Sequence, residues 1–473
     1  MTAPPDQAPS APAAAQPLRR SVILTYCLPT LGAGMLGMPF YIWLMKYSTD
    51  VLLIAPAAFG AIFLMARFWD AISDPIAGYL SDRTKSRLGR RRSWMLASAV
   101  PVALTTVMLW SPPWALEGFA LVLWMAAALL LYETASTAFF VPYGALGMEL
   151  SDQYHERTRL FGYRHVIAAL GAILGVGAVY LLRTAPNPRM MALGVAITGG
   201  VVLAVTIVLA ASFLRERSDY RGRGATKIFK AFADVLRNPH GRLLFIVYGI
   251  ETFGAASIGM LAPYVMQYVA DIPELTEVLI AAYFVPQFLF TPMWIWLGKR
   301  FSKKSLWIFS MVAQAVAYCS VFFLADTHPG LYFGVVFLLG LGGGCGQIVA
   351  PSIQADVIDY DEYLTGERKE GAYTAVWNFI RKAAAGVTAG ITGFALEYSG
   401  YIPNAAEQTE SVKMVLLALM GLLPGLCFGV GAFLFMRFSL NEAEHRRVVE
   451  ALRVRASGAG DSLEGSTDGV PAR

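Results

Sequence analysis

Long apolar runs set the first limit on this chain. Between residues 22 and 437, twelve stretches carry little charge, and each is closed off by charge, proline or glycine. A helix needs about 20 apolar residues to cross a hydrocarbon layer ~30 Å thick. The stretches fall near 22–46, 52–80, 93–111, 116–146, 162–182, 191–214, 242–269, 275–298, 304–325, 330–357, 371–399 and 412–437. They are continuous and do not alternate, which excludes the strands of an outer-membrane barrel. The composition is 56% hydrophobic and 15% charged. A soluble chain carries about 25% charge, so too little polar surface remains for several water-soluble domains. The expected fold class is all-α: a polytopic membrane protein with 12 transmembrane helices in two six-helix halves.

The formal net charge of +5 is small and spread over the whole length, which excludes nucleic acid as a partner. Cys27, Cys319, Cys345 and Cys427 all lie inside apolar runs without a CxxC pattern, so neither a disulfide framework nor a zinc site is expected. Lysine and arginine collect in one set of loops. Arg83, Lys85, Arg87, Arg90, Arg91 and Arg92 follow span 2, and Lys299, Arg300, Lys303 and Lys304 follow span 8. The 6–7 connection holds Arg215, Arg217, Arg221, Arg223, Lys227, Lys230 and Arg237. The opposite loops hold only Lys46, Arg183, Arg189 and Lys413, beside acids such as Asp271, Glu274, Glu277, Glu407 and Glu410. The positive-inside rule then places both termini in the cytoplasm and the chain in the plasma (inner) membrane. The expected organisation is a disordered tail over 1–20, a bundle over 21–214, a basic linker over 215–241, a second bundle over 242–440 and a tail over 441–473, helical to about 455. The first residues are rich in proline and alanine without a basic start, unlike a signal peptide.

An ionisable side chain at the centre of a bilayer costs about 2.5–3.5 kcal/mol or more, which makes each one a functional candidate. Span 2 carries Arg67, Asp70 and Asp74, span 4 Glu133, span 5 Arg164, span 7 Glu251, and span 11 Arg381 with Lys382. Asp70 and Asp74 lie one turn apart on one helix face. Two like charges there call for a cation or a shared proton between them. Ser73 and Thr137 would add hydroxyl oxygens, and an oxygen-only set suits a hard cation, Na⁺ or H⁺. A structural pair between Asp70 and Arg67 is the alternative. Lys382 suits an anionic or hydroxyl-rich solute or a counter-charge to the acids, with Arg164 near the same solute. Trp377 is a candidate stacking platform, and Glu133 one turn before Thr137 a candidate ligand or gate. The acids Asp356, Asp359 and Glu362 at the end of span 10 are expected to pair with Arg87 or Arg157 at an inner gate. Glu251 has no assigned role. The glycine run from Gly340 to Gly346 lies within an apolar span and reads as close helix packing, not a phosphate loop. No nucleophile and base, P-loop or metal motif appears, so neither enzyme activity nor a cofactor beyond the coupling cation is expected.

Four stretches carry a family likeness: RFWDAISDPIAGYLSDRTKSRLGRRRSW (67–94), VPYGALGMELSDQYHERTRLFGYR (141–164), QADVIDYDEYLTGERKEGAY (354–373) and YSTDVL (47–52). Together they resemble the glycoside–pentoside–hexuronide:cation symporter family of the major facilitator superfamily, through nearly all twelve spans. The resemblance implies a major facilitator fold and cation-coupled import of a small solute by alternating access, in a single chain embedded in the bilayer. It also implies that Asp70, Asp74 and Thr137 hold the coupling cation, which would be a metal site if the cation is Na⁺, with Ser73 where the family's sugar carriers have asparagine. Arg164 and Lys382 match its sugar-site cations. This chain departs from the pattern at Gly34 and Phe140, where sugar-binding acids are expected, and at Gly144, where a tryptophan is. Phe140 makes the substrate position more apolar. The expected solute is a sugar, glycoside or uronate. The same span 2 signature and VPY turn occur in the vertebrate lysophosphatidylcholine symporters, so a lysophospholipid-like or other amphipathic or anionic solute is the alternative.

Overall fold

The computed structural model describes residues 18–150, 154–216, 235–366 and 369–464. The expectations for residues 1–17 and most of the basic linker lie outside these residues, as does the side chain of Arg157. Twelve helical spans account for nearly all of the rest, and no strand occurs among the described residues. The spans are α1 (Arg20–Val51), α2 (Pro56–Arg83), α3 (Arg90–Trp110), α4 (Gly118–Glu149), α5 (Tyr154–Thr184) and α6 (Pro188–Phe213). After the linker come α7 (Pro239–Tyr268), α8 (Thr276–Leu289 with Thr291–Gly298), α9 (Lys303–Leu324), α10 (Pro329–Thr365), α11 (Glu370–Tyr398) and α12 (Glu410–Phe435). A last helix, α13 (Glu442–Glu464), extends past the predicted end near residue 455.

Nine of these helices are long and apolar enough on composition alone to cross a membrane, and the bent α8 would make a tenth. The remaining two, α2 and α11, are 28 and 29 residues long and fall short only in hydropathy, because they carry the charged residues singled out above. Their length is that of a spanning helix. The outer surfaces of the helices are apolar: Phe119 is 75% exposed, Ile173 66% and Phe309 66%. Exposed apolar surface on this scale has no place in a water-soluble monomer and suits lipid.

Local sequence explains where the helices begin and bend. Asn187 and Asn238 each precede a proline and cap the next helix, their side chains accepting from Met190 N and from His240 and Gly241 N. The bend of 41° in α8 falls at Phe290, just before Pro292, which lacks an N–H and crowds the carbonyl four residues back. Helix α1 loosens into π turns over Pro39–Trp43 and Tyr47–Val51. The Glu216 carboxylate caps α3 by accepting from the N–H groups of Arg90, Arg91 and Arg92.

The chain divides into two compact units, one taking Met1–Phe40 and Ile72–Gly224, the other Tyr41–Ala71 and Ala225–Arg473. The division therefore cuts α1 at its first π turn and α2 just after Asp70. The first unit is built on a core of Tyr26, Cys27, Met95, Phe139, Tyr143, Leu146, Leu203 and Ile207. Helices α2, α3 and α4 are tied at one end by Glu149, which takes Arg90 at 2.7 Å and Arg91 at 2.8 Å, with Asp82 on Arg91 at 2.9 Å. The second unit buries Trp307, Tyr264, Tyr318, Tyr332 and Tyr373.

Candidate functional site

In the second unit, helix α2 presents Asp70 almost fully buried. A carboxylate in such surroundings requires cations, and it has them: Arg67 Nη1 lies 3.0 Å from its Oδ2 and Lys382 Nζ of α11 3.6 Å from the same oxygen. The Arg67 pair, the alternative to a cation-ligand role for Asp70, is therefore present, and Lys382 stands as counter-charge to the same acid. One turn beyond Lys382, a Cβ on Gly386 would fall 2.0 Å from Arg67 Cγ. Only glycine at 386 lets the Arg67 stem lie against α11 as it does.

Asp74, one turn along α2, belongs to the first unit. Its Oδ1 accepts from the Thr137 hydroxyl of α4 at 2.7 Å. A threonine oxygen that donates to a carboxylate keeps lone pairs with which to accept a cation. Ser73 is buried beside Asp74, and Glu133 is buried one turn before Thr137. Among the described residues no group of three or more His, Cys, Asp or Glu side chains could hold a metal ion. A cation at Asp74 would have carboxylate and hydroxyl oxygens as its ligands.

The candidate substrate residues are divided between the units. Arg164, Glu133 and Phe140 belong to the first, Lys382 and Trp377 to the second. The Arg164 guanidinium stands over the rings of Tyr143 (5.3 Å) and Phe161 (5.7 Å), and Tyr143 stacks in turn on Tyr26 at 4.6 Å. Phe140 is 38% exposed and meets Phe139 edge-on. Trp377 stacks on Tyr248 with ring centroids 3.6 Å apart. At position 34 a Cβ would lie 2.6 Å from the Ala168 carbonyl oxygen. Gly34 is therefore a close contact between α1 and α5.

At the end of α10, Asp356 binds Lys303 of α9 at 2.6 Å, and His445 of α13 lies 3.0 Å from Asp359 and 3.7 Å from Asp356. Lys303 and the C-terminal helix thus supply partners to these acids. Arg87 is exposed on its loop, and the Glu362 carbonyl accepts the Gly366 N–H.

Sequence reasoning passed over a further polar cluster. Lys46 reads as an outer-loop charge that ends span 1, yet α1 continues to Val51 and Lys46 is only 4% exposed. Its Nζ binds Asp50 Oδ2 at 2.7 Å and lies 4.5 Å from the ring centroids of both Tyr264 and Tyr268. Asp50 also accepts from Tyr268 (3.0 Å), Tyr401 (2.5 Å) and Thr49 (2.8 Å), while Asn404 Nδ2 donates to its backbone carbonyl at 2.6 Å. Burial, with Tyr264 and Asp50 beside it, pushes the Tyr401 hydroxyl far above its ordinary value and keeps it a donor. The available signal was the i,i+4 spacing of Lys46 and Asp50 at the end of an apolar run. The cluster fastens the Tyr41–Ala71 segment to α7 and to the α11–α12 connection.

The family described as MFS/sugar transport protein matches residues 25–442. Among curated relatives, the sodium-dependent lysophosphatidylcholine symporter 1 of Mus musculus is 24% identical over 472 residues, covering 90% of this chain and 87% of that protein. The inner membrane symporter YicJ of Escherichia coli (strain K12) is 25% identical over 419 residues, covering 87% and 90%. Among solved structures, a D-xylose–proton symporter superposes with a TM-score of 0.68 at 13% identity, covering 88% of this chain and 97% of that one. A match over nearly the whole chain, to a family and a fold of transporters, leaves no room for an enzyme: the chain belongs to the MFS/sugar transport family of the major facilitator superfamily.

Proposed function

We propose that the protein is a cation-coupled symporter of the plasma (inner) membrane, working as a single chain with both termini in the cytoplasm and importing a small solute by alternating access. The observation that carries this reading is the treatment of the two α2 carboxylates. Asp74 has a hydroxyl partner suited to sharing a hard cation, Na⁺ or H⁺. Asp70 is held by Arg67 and Lys382. A facilitator without coupling has no use for two acids spaced one turn apart on a spanning helix, where each is costly. Ser73 and Thr137 complete the oxygen set. Arg164 and Lys382 are the substrate cations, with Trp377, Glu133 and Phe140 as further contacts, and the solute is a sugar, glycoside or uronate. Asp356, Asp359 and Glu362 act at the inner gate, with Arg87 and Arg157 as candidate partners.

A second reading, an amphipathic lysophospholipid-like solute, has its own support. Phe140 is exposed where a sugar-binding acid is expected, and position 34 has no room for one. A mouse relative is named for lysophosphatidylcholine. The test is uptake into proteoliposomes driven by a Na⁺ jump or a pH jump, after a thermal-shift screen of sugars, uronates and lysolipids. Solute entry that equilibrates but never concentrates under either gradient would overturn the coupling. A lysolipid shift without any sugar or uronate shift would select the second reading.

A further inference from the structure

We infer that Glu251, in the middle of α7, is a proton-binding site of the second unit, separate from the α2 carboxylates. Glu251 is buried, and its one hydrogen-bond partner among the described residues is the neutral indole Nε1–H of Trp307, 3.2 Å from Oε2. Its other oxygen faces the glycine run of α10: a Cβ on Gly346 would stand 3.2 Å from Oε1. That glycine leaves one side of the carboxyl against bare backbone, with no side chain to cover or neutralise it.

The titratable side chains near Glu251 on the packed helices are of phenol and thiol type, with Cys427 of α12 packed against Gly254 one turn along α7. They are Tyr248 on its own helix, Tyr283 of α8, Tyr318 of α9 and Cys345 of α10. Ser310 and Gln314 of α9 add a neutral polar pair, Ser310 donating to the Gly342 carbonyl. An ionised carboxylate in an apolar interior needs a cation or several strong donors, and a single indole N–H is neither. Binding a proton converts the carboxylate to a neutral acid that can donate as well as accept, which suits a ring of phenols and hydroxyls. The Asp70 and Asp74 surroundings are the opposite case, with charged or hydroxyl partners for each acid. The second unit therefore holds an acid whose natural ligand is H⁺. Within the symport reading, on which its consequence rests, this makes the transport rate respond to pH through the C-terminal helices.

The test uses the purified full-length protein, wild type and Glu251→Gln. Dicyclohexylcarbodiimide attacks protonated carboxyls in apolar surroundings, and peptide mass spectrometry locates the adduct. The expected result is an adduct on Glu251 that declines from mildly acidic to mildly alkaline pH, a carboxylic C=O infrared band absent from Glu251→Gln, and a flattened pH profile of uptake in that variant. Absence of both adduct and band would overturn the proposal. So would an adduct unchanged with pH together with a wild-type pH profile in Glu251→Gln, since the acid would then be permanently protonated and structural. Wild-type protein that carries no solute at all would sink the transport reading while leaving the labelling result to stand on its own.

Discussion

Asp50→Asn removes one charge and little volume from the polar cluster built around Lys46. Asp50 receives Lys46, Tyr268, Tyr401 and Thr49 within 2.5–3.0 Å. The substituted amide keeps one oxygen to accept from Tyr401 and Thr49, and its NH2 replaces the oxygen that took Tyr268 and Lys46, so the principal loss is the counter-charge of a lysine that is 4% exposed. Breaking a buried pair from one side costs about 3–5 kcal/mol, because the remaining ion stays uncompensated. At about 1.4 kcal/mol per tenfold, that is a shift of roughly two to three and a half orders of magnitude against any conformer in which the cluster is formed. Replacing both partners is far milder. Lys46→Met keeps the buried stem and removes the orphaned charge, so Lys46→Met/Asp50→Asn should recover more than half of the loss. The assay is thermal unfolding of the purified single and double variants, read as a double-mutant cycle. Wild-type melting of Asp50→Asn, or a double variant less stable than Asp50→Asn, would refute the claim that charge compensation holds this cluster together.

Asp74→Asn should abolish concentrative uptake while the protein still inserts and folds, and Asp70→Asn should abolish it with a loss of stability, since Arg67 is left buried without its carboxylate; accumulation against a gradient in either variant would remove the α2 acids from coupling. Lys382→Ala should weaken binding of an anionic solute about ten- to a hundred-fold, the loss of a charge-assisted bond of ~1.5–3 kcal/mol; with a neutral solute it should alter the cation dependence and leave binding in saturating cation nearly intact, and calorimetry at high and low Na⁺ separates the two. Asp359→Lys should slow turnover more than it weakens binding, because it replaces the acid that faces His445 with a positive charge one helical turn from the Asp356–Lys303 pair; unchanged rates in proteoliposomes would count against a gate at this end of α10.

What could be read from the residues was whatever depends on near neighbours in the chain. Apolar runs closed by charge, proline and glycine mark the spans, while the break in α8 at Phe290 falls inside the single run 275–298. Asp70 and Lys382 were legible as candidates because a charge inside an apolar run stands out wherever its partner is. Lys46 was not, since a lysine at the end of such a run looks like its boundary. Its burial depends on Tyr264, Tyr268, Tyr401 and Asn404, supplied by distant parts of the chain. His445 was hidden in the same way: the tail reads as a solvated helix until α13 is placed against Asp359, 86 residues earlier. Gly386 is silent in the sequence, and Gly34 stands out there only as a departure from the family pattern, because the meaning of each is the absence of a side chain against a neighbouring helix.

Within the second unit these features lie along one piece of chain. The Tyr41–Ala71 segment is anchored at Asp50 by the tyrosine cluster and at Asp70 by Lys382 of α11. Between them Gly60 abuts α11, where an added Cβ would come within 2.8 Å of the Ala389 carbonyl oxygen and 3.2 Å of Gly393 Cα. The segment is thus fastened to α11 by charge at one end and by close backbone packing along its middle. A cation or proton delivered to Asp70 competes with Lys382 and Arg67 for the same carboxylate and weakens that fastening. By linkage, any state in which α11 has moved away from Asp70 must bind the cation more tightly, by the same factor as the cation favours that state. Under the symport proposal, an ion pair that has to open for the cation to enter would link cation occupancy to movement of α11 through the contact between Asp70 and Lys382.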